Sequence, residues 1–144
     1  MKTLSEEQIK EIAEQIDFGY KCFWNRQEGE LIFIPDELRH IGIDMDAWED
    51  EVKKVEENWD LYEIISPLGS RDSFKIMSDF VDTLGDSNRL KYRLIDALNK
   101  RKPFREFKFV IDNSGDYRQH WFDFKNEWLE EWVRERVKEI EEEE

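Results

Sequence analysis

The sequence predicts an α+β fold in which a small antiparallel sheet of two or three strands packs against a bundle of four to six helices, the last of them long. Three observations predict it. Aromatic residues make up 14% of the 144, enough core material to argue against disorder although 40% of the chain is charged. The short aromatic and β-branched runs fall before residue 66. From residue 70 onward, apolar residues recur instead at helical spacing.

Ser5 opens a capping pattern with Gln8 three residues on, and Ile9, Ile12, Ala13 and Ile16 follow on one face. A first helix is expected over roughly 5–17, with Gly19 placed to end it. Tyr20-Lys21-Cys22-Phe23-Trp24 and Leu31-Ile32-Phe33-Ile34 flank a polar loop containing Gly29 and read as a β-hairpin closed by Pro35. Asp44 or Asp46 is positioned to cap a second helix through about residue 60, with Trp48, Val52, Val55 and Trp59 facing inward. Tyr62-Glu63-Ile64-Ile65, halted by Pro67 and Gly69, is a third strand.

Ser70 is the expected cap of a helix carrying Phe74, Met77, Phe80, Val81 and Leu84. After the Gly85-Asp86-Ser87 break, a further helix runs to about Lys100 over Leu90, Leu94, Ala97 and Leu98. Pro103 suits the first position of the next helix, where its missing N–H costs nothing, and Phe104, Phe107 and Ile111 follow on one side. Asn113-Ser114-Gly115-Asp116 is a turn. From Tyr117 on, Trp121, Phe124, Trp128 and Trp132 form one row and Leu129, Val133, Val137 and Ile140 another; two adjacent rows mark a wide buried face. No linker interrupts the chain, so one domain over 1–144 is expected, with the acidic run 141–144 frayed at the negative end of the helix dipole.

Charge and cysteine content limit the partners. A net charge of −14 argues against a general nucleic-acid binder and against anionic membrane surfaces. No apolar stretch approaches the roughly 18–20 residues of a membrane span. The first residues turn acidic where a secretory signal needs an apolar run. The lone cysteine, Cys22, excludes an internal disulfide framework and a multi-cysteine zinc site. A cytoplasmic location follows by elimination. The charge is uneven, however: residues 89–108 carry two acids and eight bases, a basic island in an otherwise acidic chain.

Within that island, the run Asp96-Ala97-Leu98-Asn99-Lys100-Arg101-Lys102-Pro103-Phe104-Arg105-Glu106-Phe107-Lys108, followed by Trp121, Phe122 and Phe124, resembles the uncharacterised bacterial family catalogued as UPF-series number 0158. The shared pattern is an Ala-Leu pair, a short basic turn, a Phe-Arg-x-Phe-Lys segment and a Trp followed by aromatics. Phe74, Met77 and Phe80 look similar to the helix that precedes the motif, and the likeness extends over roughly residues 70–135. Asn99 stands where relatives carry Gly, which suits a left-handed turn position. The resemblance implies a prokaryotic soluble domain and brings no activity with it.

Lys100, Arg101, Lys102, Arg105 and Lys108 are the sharpest functional candidates. Arg offers a planar fork for carboxylate or phosphate, and Pro103 opens a helix whose first amides attract anions. The bland reading is that Pro103 starts the helix, Phe104, Phe107 and Trp121 are core, and the bases pair with surface acids. His40 and His120 have no partner at metal-ligand spacing. Asp44, Asp46, Glu49, Asp50 and Glu51 lack the glycine and terminal glutamate of a calcium loop and read better as a solvated first turn. Cys22 reads as a small packed hydrophobe, and no nucleophile elbow, dinucleotide loop or phosphate loop is present. Catalytic residues, metal and cofactor are therefore all read as none, leaning away from an enzyme. The leading expectation is a protein-interaction module that presents the basic island to an acidic partner. The alternatives are a small anionic-ligand binder or enzyme with a pocket near Arg101 and Arg105, and a nucleic-acid-linked regulator using 89–108.

Overall fold

A computed structural model describes residues 3–37, 39–40 and 42–143. The order of elements is α1 (Glu6–Asp17), β1 (Tyr20–Asn25), β2 (Glu30–Pro35), α2 (Glu49–Glu57), β3 (Tyr62–Ile65), α3 (Ser70–Asp82), α4 (Arg89–Leu98), α5 (Pro103–Asp112) and α6 (Tyr117–Glu142). Three antiparallel strands with six α-helices make the fold α+β, as the sequence predicts. The described chain falls into two compact units, one built from residues 1–68 and 129–144 and the other from 69–128. Of the acidic run 141–144, α6 takes in Glu141 and Glu142, and Glu144 lies outside the described residues. Among the described residues, no helix is long and apolar enough to cross a membrane.

In the first unit, the Ser5 hydroxyl accepts from the Gln8 amide while the Gln8 side chain accepts from the Ser5 amide, which starts α1 as the capping pattern requires. Gly19, at φ +86, turns the chain out of α1 into β1. The strand order is β2-β1-β3, with Phe23 paired to Ile32 on one side and Ile64 on the other. One sheet face gathers Ile32, Ile34 and Tyr62 against Val55, with Phe23, Met45 and Val52 packed around them. Cys22, Trp24 and Ile65 are sealed, as are the inner sides of α1 and the second part of α6. The Arg134 guanidinium grips Glu6 at 2.7 Å and ties α6 to the first turn of α1.

The second helix differs from its expected form. Asp44 does cap it, but the first turn is a 3₁₀ turn (Met45–Trp48), and α2 ends at Glu57. A second 3₁₀ turn (Trp59–Leu61) then takes Trp59 off the helical row, leaving it 75% exposed where an inward position is expected.

In the second unit, Met77, Phe80 and Val81 of α3, Leu90 and Leu94 of α4, and Phe107 and Ile111 of α5 form one core. Trp121 and Phe124 of α6 pack against it, both edge-on to Phe80. Gly69, not Ser70, is the residue before α3; Ser70 is already helical and caps nothing through its side chain. Pro103 does open α5. The two apolar rows of α6 work in series. Trp121 and Phe124 serve this unit, while Leu129, Val133, Val137 and Ile140 are the buried residues of the other.

Gly19 and Gly115 both have positive φ, but only Gly19 is crowded: a Cβ there would lie 2.8 Å from His40 Nε2, whereas one on Gly115 would meet nothing. Gly115→Ala should therefore cost about 1 kcal/mol of backbone strain, and Gly19→Ala about 2–3 kcal/mol, because the His40 ring must also move. Chemical denaturation of the two variants side by side checks the ordering.

Candidate functional site: a basic ridge at the α4–α5 turn

The ridge is built where α4 stops. Asn99 sits at φ −90, ψ 0, outside the left-handed region expected of it, because its side chain does the terminating work. Its Nδ2 donates to the Ile95 carbonyl at 2.9 Å, so no glycine-like conformation is needed. Lys100, Arg101 and Lys102 form the turn, and Lys102 precedes Pro103 at the start of α5 without a side-chain cap. The early amides of Phe104 and Arg105 have no acceptor inside the helix and lie beside this cationic turn.

Helical spacing sets Phe104 on the same side of α5 as the buried Phe107 and Ile111, with Lys108 one turn beyond it, and Arg105 and Phe109, also one turn apart, on the outer side. Phe107 is 1% exposed and lies 4.9 Å from the ring of Trp121, which is partly buried against the same core. Phe104 is not the core residue the bland reading takes it for. It meets Phe74 edge-on but remains 43% exposed, because α5 begins one turn before the packed region. Phe109, which sequence reasoning passed over, is 64% exposed. The signal was present: in Phe107-Lys108-Phe109, at most one phenylalanine can face the core of a helix.

Three of the five bases are engaged locally. Lys100 pairs with Asp96 at 3.6 Å, Arg105 with Glu106 at 3.2 Å and Lys108 with Asp112 at 3.0 Å. All three bases remain more than half exposed, so solvent screens each pair and it adds little to stability. The bond from Lys108, joined by one from Arg118, holds the Asp112 carboxyl below its ordinary range. Arg101 and Lys102 are exposed and have no carboxylate partner among the described residues.

The remaining candidates sit apart from the ridge. His120 lies edge-on to Tyr117, and His40 Nε2 donates to the Phe18 carbonyl at 2.9 Å. Asp44 accepts from the Asp46 amide. Trp128 Nε1 donates to Asp79 at 3.0 Å, and Trp132 is half-buried. Cys22 is fully buried, and desolvation pushes its thiol up to about 12. Two recesses open in the first unit. One, of about 420 Å³, lies between the sheet and α2 over Phe23, Ile34, Val52 and Val55 with Lys21 and Glu56 at its edge. The other, of about 530 Å³, is lined by Gln15, Phe18, Tyr20, His40 and Trp48. Neither recess contains Arg101 or Arg105.

Fold and ridge together describe a small α+β protein with an exposed cationic edge. The chain belongs to the uncharacterised protein family UPF0158, whose profile matches residues 3–143. Over 70 residues it is 33% identical to UPF0158 protein PA5073 of Pseudomonas aeruginosa; the match takes in 49% of this chain and 45% of that protein, a little under half its length. No solved structure matches.

Two outcomes follow from these environments. Cys22 should resist alkylation at neutral pH in the native protein and react at an ordinary thiol rate once denatured, as mass spectrometry before and after denaturation would read. Replacing Lys108 and Arg118 with Gln should raise the Asp112 titration toward 3.8. Because the folded pKa is the lower one, the small stabilisation from this cluster is present above the unfolded value and is lost as pH falls through the folded value. Carboxyl NMR titration of wild type and variant checks it.

Proposed function

We propose that this protein is a non-enzymatic interaction module whose basic ridge receives an acidic segment of another protein. The observation that carries the reading is that Arg101 and Lys102 stand exposed, with no carboxylate partner among the described residues, in a chain whose net charge is −14. Intramolecular pairing has carboxylates in abundance to draw on, yet these two cations are left open to solvent. Phe104 and Phe109 are both exposed and supply apolar contact area, each one turn of α5 from a base: Phe104 from Lys108 and Phe109 from Arg105. An acidic stretch carrying one or two bulky apolar residues matches that alternation. Its carboxylates would reach the guanidinium of Arg101 and the open amides at the start of α5. Phe and Arg in such a surface are the residue types that concentrate binding energy. A cytoplasmic setting, supported by a single buried thiol, goes with the proposal.

Selection from a random displayed-peptide library tests the reading. Wild type should enrich acidic sequences with interspersed apolar residues. A variant with Arg101→Glu and Lys102→Glu should lose that enrichment while keeping its thermal midpoint, since both positions are exposed. Synthetic copies of the selected peptides should bind the variant at least about tenfold more weakly, and wild-type binding should fall with added salt. Enrichment of non-acidic sequences, or equal enrichment by both proteins, would sink the proposal. Duplex DNA bound with a steep salt dependence, and lost in the same variant, would replace it with the nucleic-acid reading. An anionic metabolite that raises the thermal midpoint only when Arg101 and Arg105 are intact would replace it with the ligand reading.

A further inference from the structure

The recess lined by Gln15, Phe18, Tyr20, His40 and Trp48 has a chemistry unlike the rest of the surface. In a chain where 40% of residues are charged, none of the five described residues that line it is an aspartate, glutamate, lysine or arginine, and four carry aromatic rings. Tyr20 meets His40 at 5.4 Å with the ring planes at 84°, and meets Trp48 at 6.2 Å and 78°. The rings meet edge to face rather than in a stack, so the open recess between them offers aromatic surface in more than one orientation. Aromatic surface of this kind attracts a cation that lies over a ring face.

The walls are held in place. His40 Nε2 donates to the Phe18 carbonyl, which fixes both the proton on that nitrogen and the tilt of the ring. The ring reaches this position only because residue 19 has no Cβ. Tyr20 begins β1 and Trp48 ends the 3₁₀ turn before α2, so both belong to regular structure. Phe18 is 62% exposed at the end of α1, where it adds little to the core.

The local field selects the sign of the guest. The recess opens at the carbonyl end of α1, and the last turn of that helix contains no basic residue to offset its negative pole. Residues 1–60 carry 17 acids and 7 bases. An anion would be repelled. A metal ion or a primary ammonium would lose hydration without finding a carboxylate on the wall. A methylated ammonium carries its charge on a bulky, weakly hydrated surface that aromatic faces solvate well.

We propose that this recess binds the trimethylammonium group of a small organic cation. The site is independent of the basic ridge and of the partner suggested for it.

The test uses Trp48, whose indole NMR signal is assigned by its disappearance in Trp48→Phe. Choline is titrated into the full chain beside 3,3-dimethyl-1-butanol, its uncharged isostere. Choline should shift the Trp48 indole at millimolar concentration or below, and the isostere should bind about tenfold more weakly or not at all. Phe18→Ala, at an exposed position, should weaken choline about fivefold or more without moving the thermal midpoint or the other indole signals. A peptide containing trimethyl-lysine separates the two sources of this group. Tighter binding than choline supports the site and assigns the guest to a modified protein, whereas weaker binding supports a free metabolite. Equal response to choline and the isostere, no response to either choline or the peptide, or full choline binding by Phe18→Ala would overturn the proposal.

Discussion

Arg26 is where the fold of the first unit is decided. It lies in the hairpin loop and is 8% exposed, the only basic side chain taken inside among the described residues. Burying an isolated cation costs several kcal/mol, so its surroundings must return most of that. Two of its contacts contribute. Its Nη1 donates to the carbonyl of Ile140 at 3.4 Å, and its guanidinium lies 5.3 Å from the centre of the Trp24 ring. Ile140 is in the last turn of α6, whose carbonyls have no helical partner and carry the negative pole of the helix. A cation 114 positions earlier in the chain thus closes a helix end that the sequence itself crowds with glutamates. The loop that carries it is stiffened to match: Asn25 Oδ1 accepts from the amides of Gln27 and Glu28.

Local signals with a stereochemical mechanism were legible in the sequence. Ser5 and Gln8, the Gly29 hairpin loop, Pro103 at the start of α5 and the Leu129–Val133–Val137–Ile140 row each act through their own neighbours, and each is found where the sequence puts it. What failed depends on the rest of the molecule. Periodicity carried the second helix through Trp59, but the need to enter β3 from Asn58 tightened the chain into a 3₁₀ turn and turned Trp59 outward. Asn99 reads as left-handed from the Gly that relatives carry there, although its side chain ends α4 from an ordinary conformation.

The same distinction applies to the candidate sites. The five ridge bases lie within nine residues and were therefore visible, as were the acids four residues from Lys100 and Lys108; what spacing did not show is that Glu106, four residues after Lys102, pairs with its neighbour Arg105 instead. Phe104 and Phe109 were misjudged or overlooked because helical spacing shows which residues share a side and is silent on what covers that side. The aromatic recess had no signature at all. Its walls come from a helix end, a strand start, a connection and a 3₁₀ turn, which lie far apart in sequence and meet only in the folded chain.

The position of Cys22 has a practical side. The chain contains one thiol, and β1 seals it at 0% exposure. The wild-type protein therefore behaves, toward thiol chemistry, as though it were cysteine-free. A cysteine introduced anywhere on the surface becomes the sole reactive handle, with no need to mutate the native one and disturb the packing around Trp24. Spin labels or fluorophores can be set beside the ridge or at the mouth of the recess in an otherwise unaltered chain, and each surface can then report occupancy independently of the other.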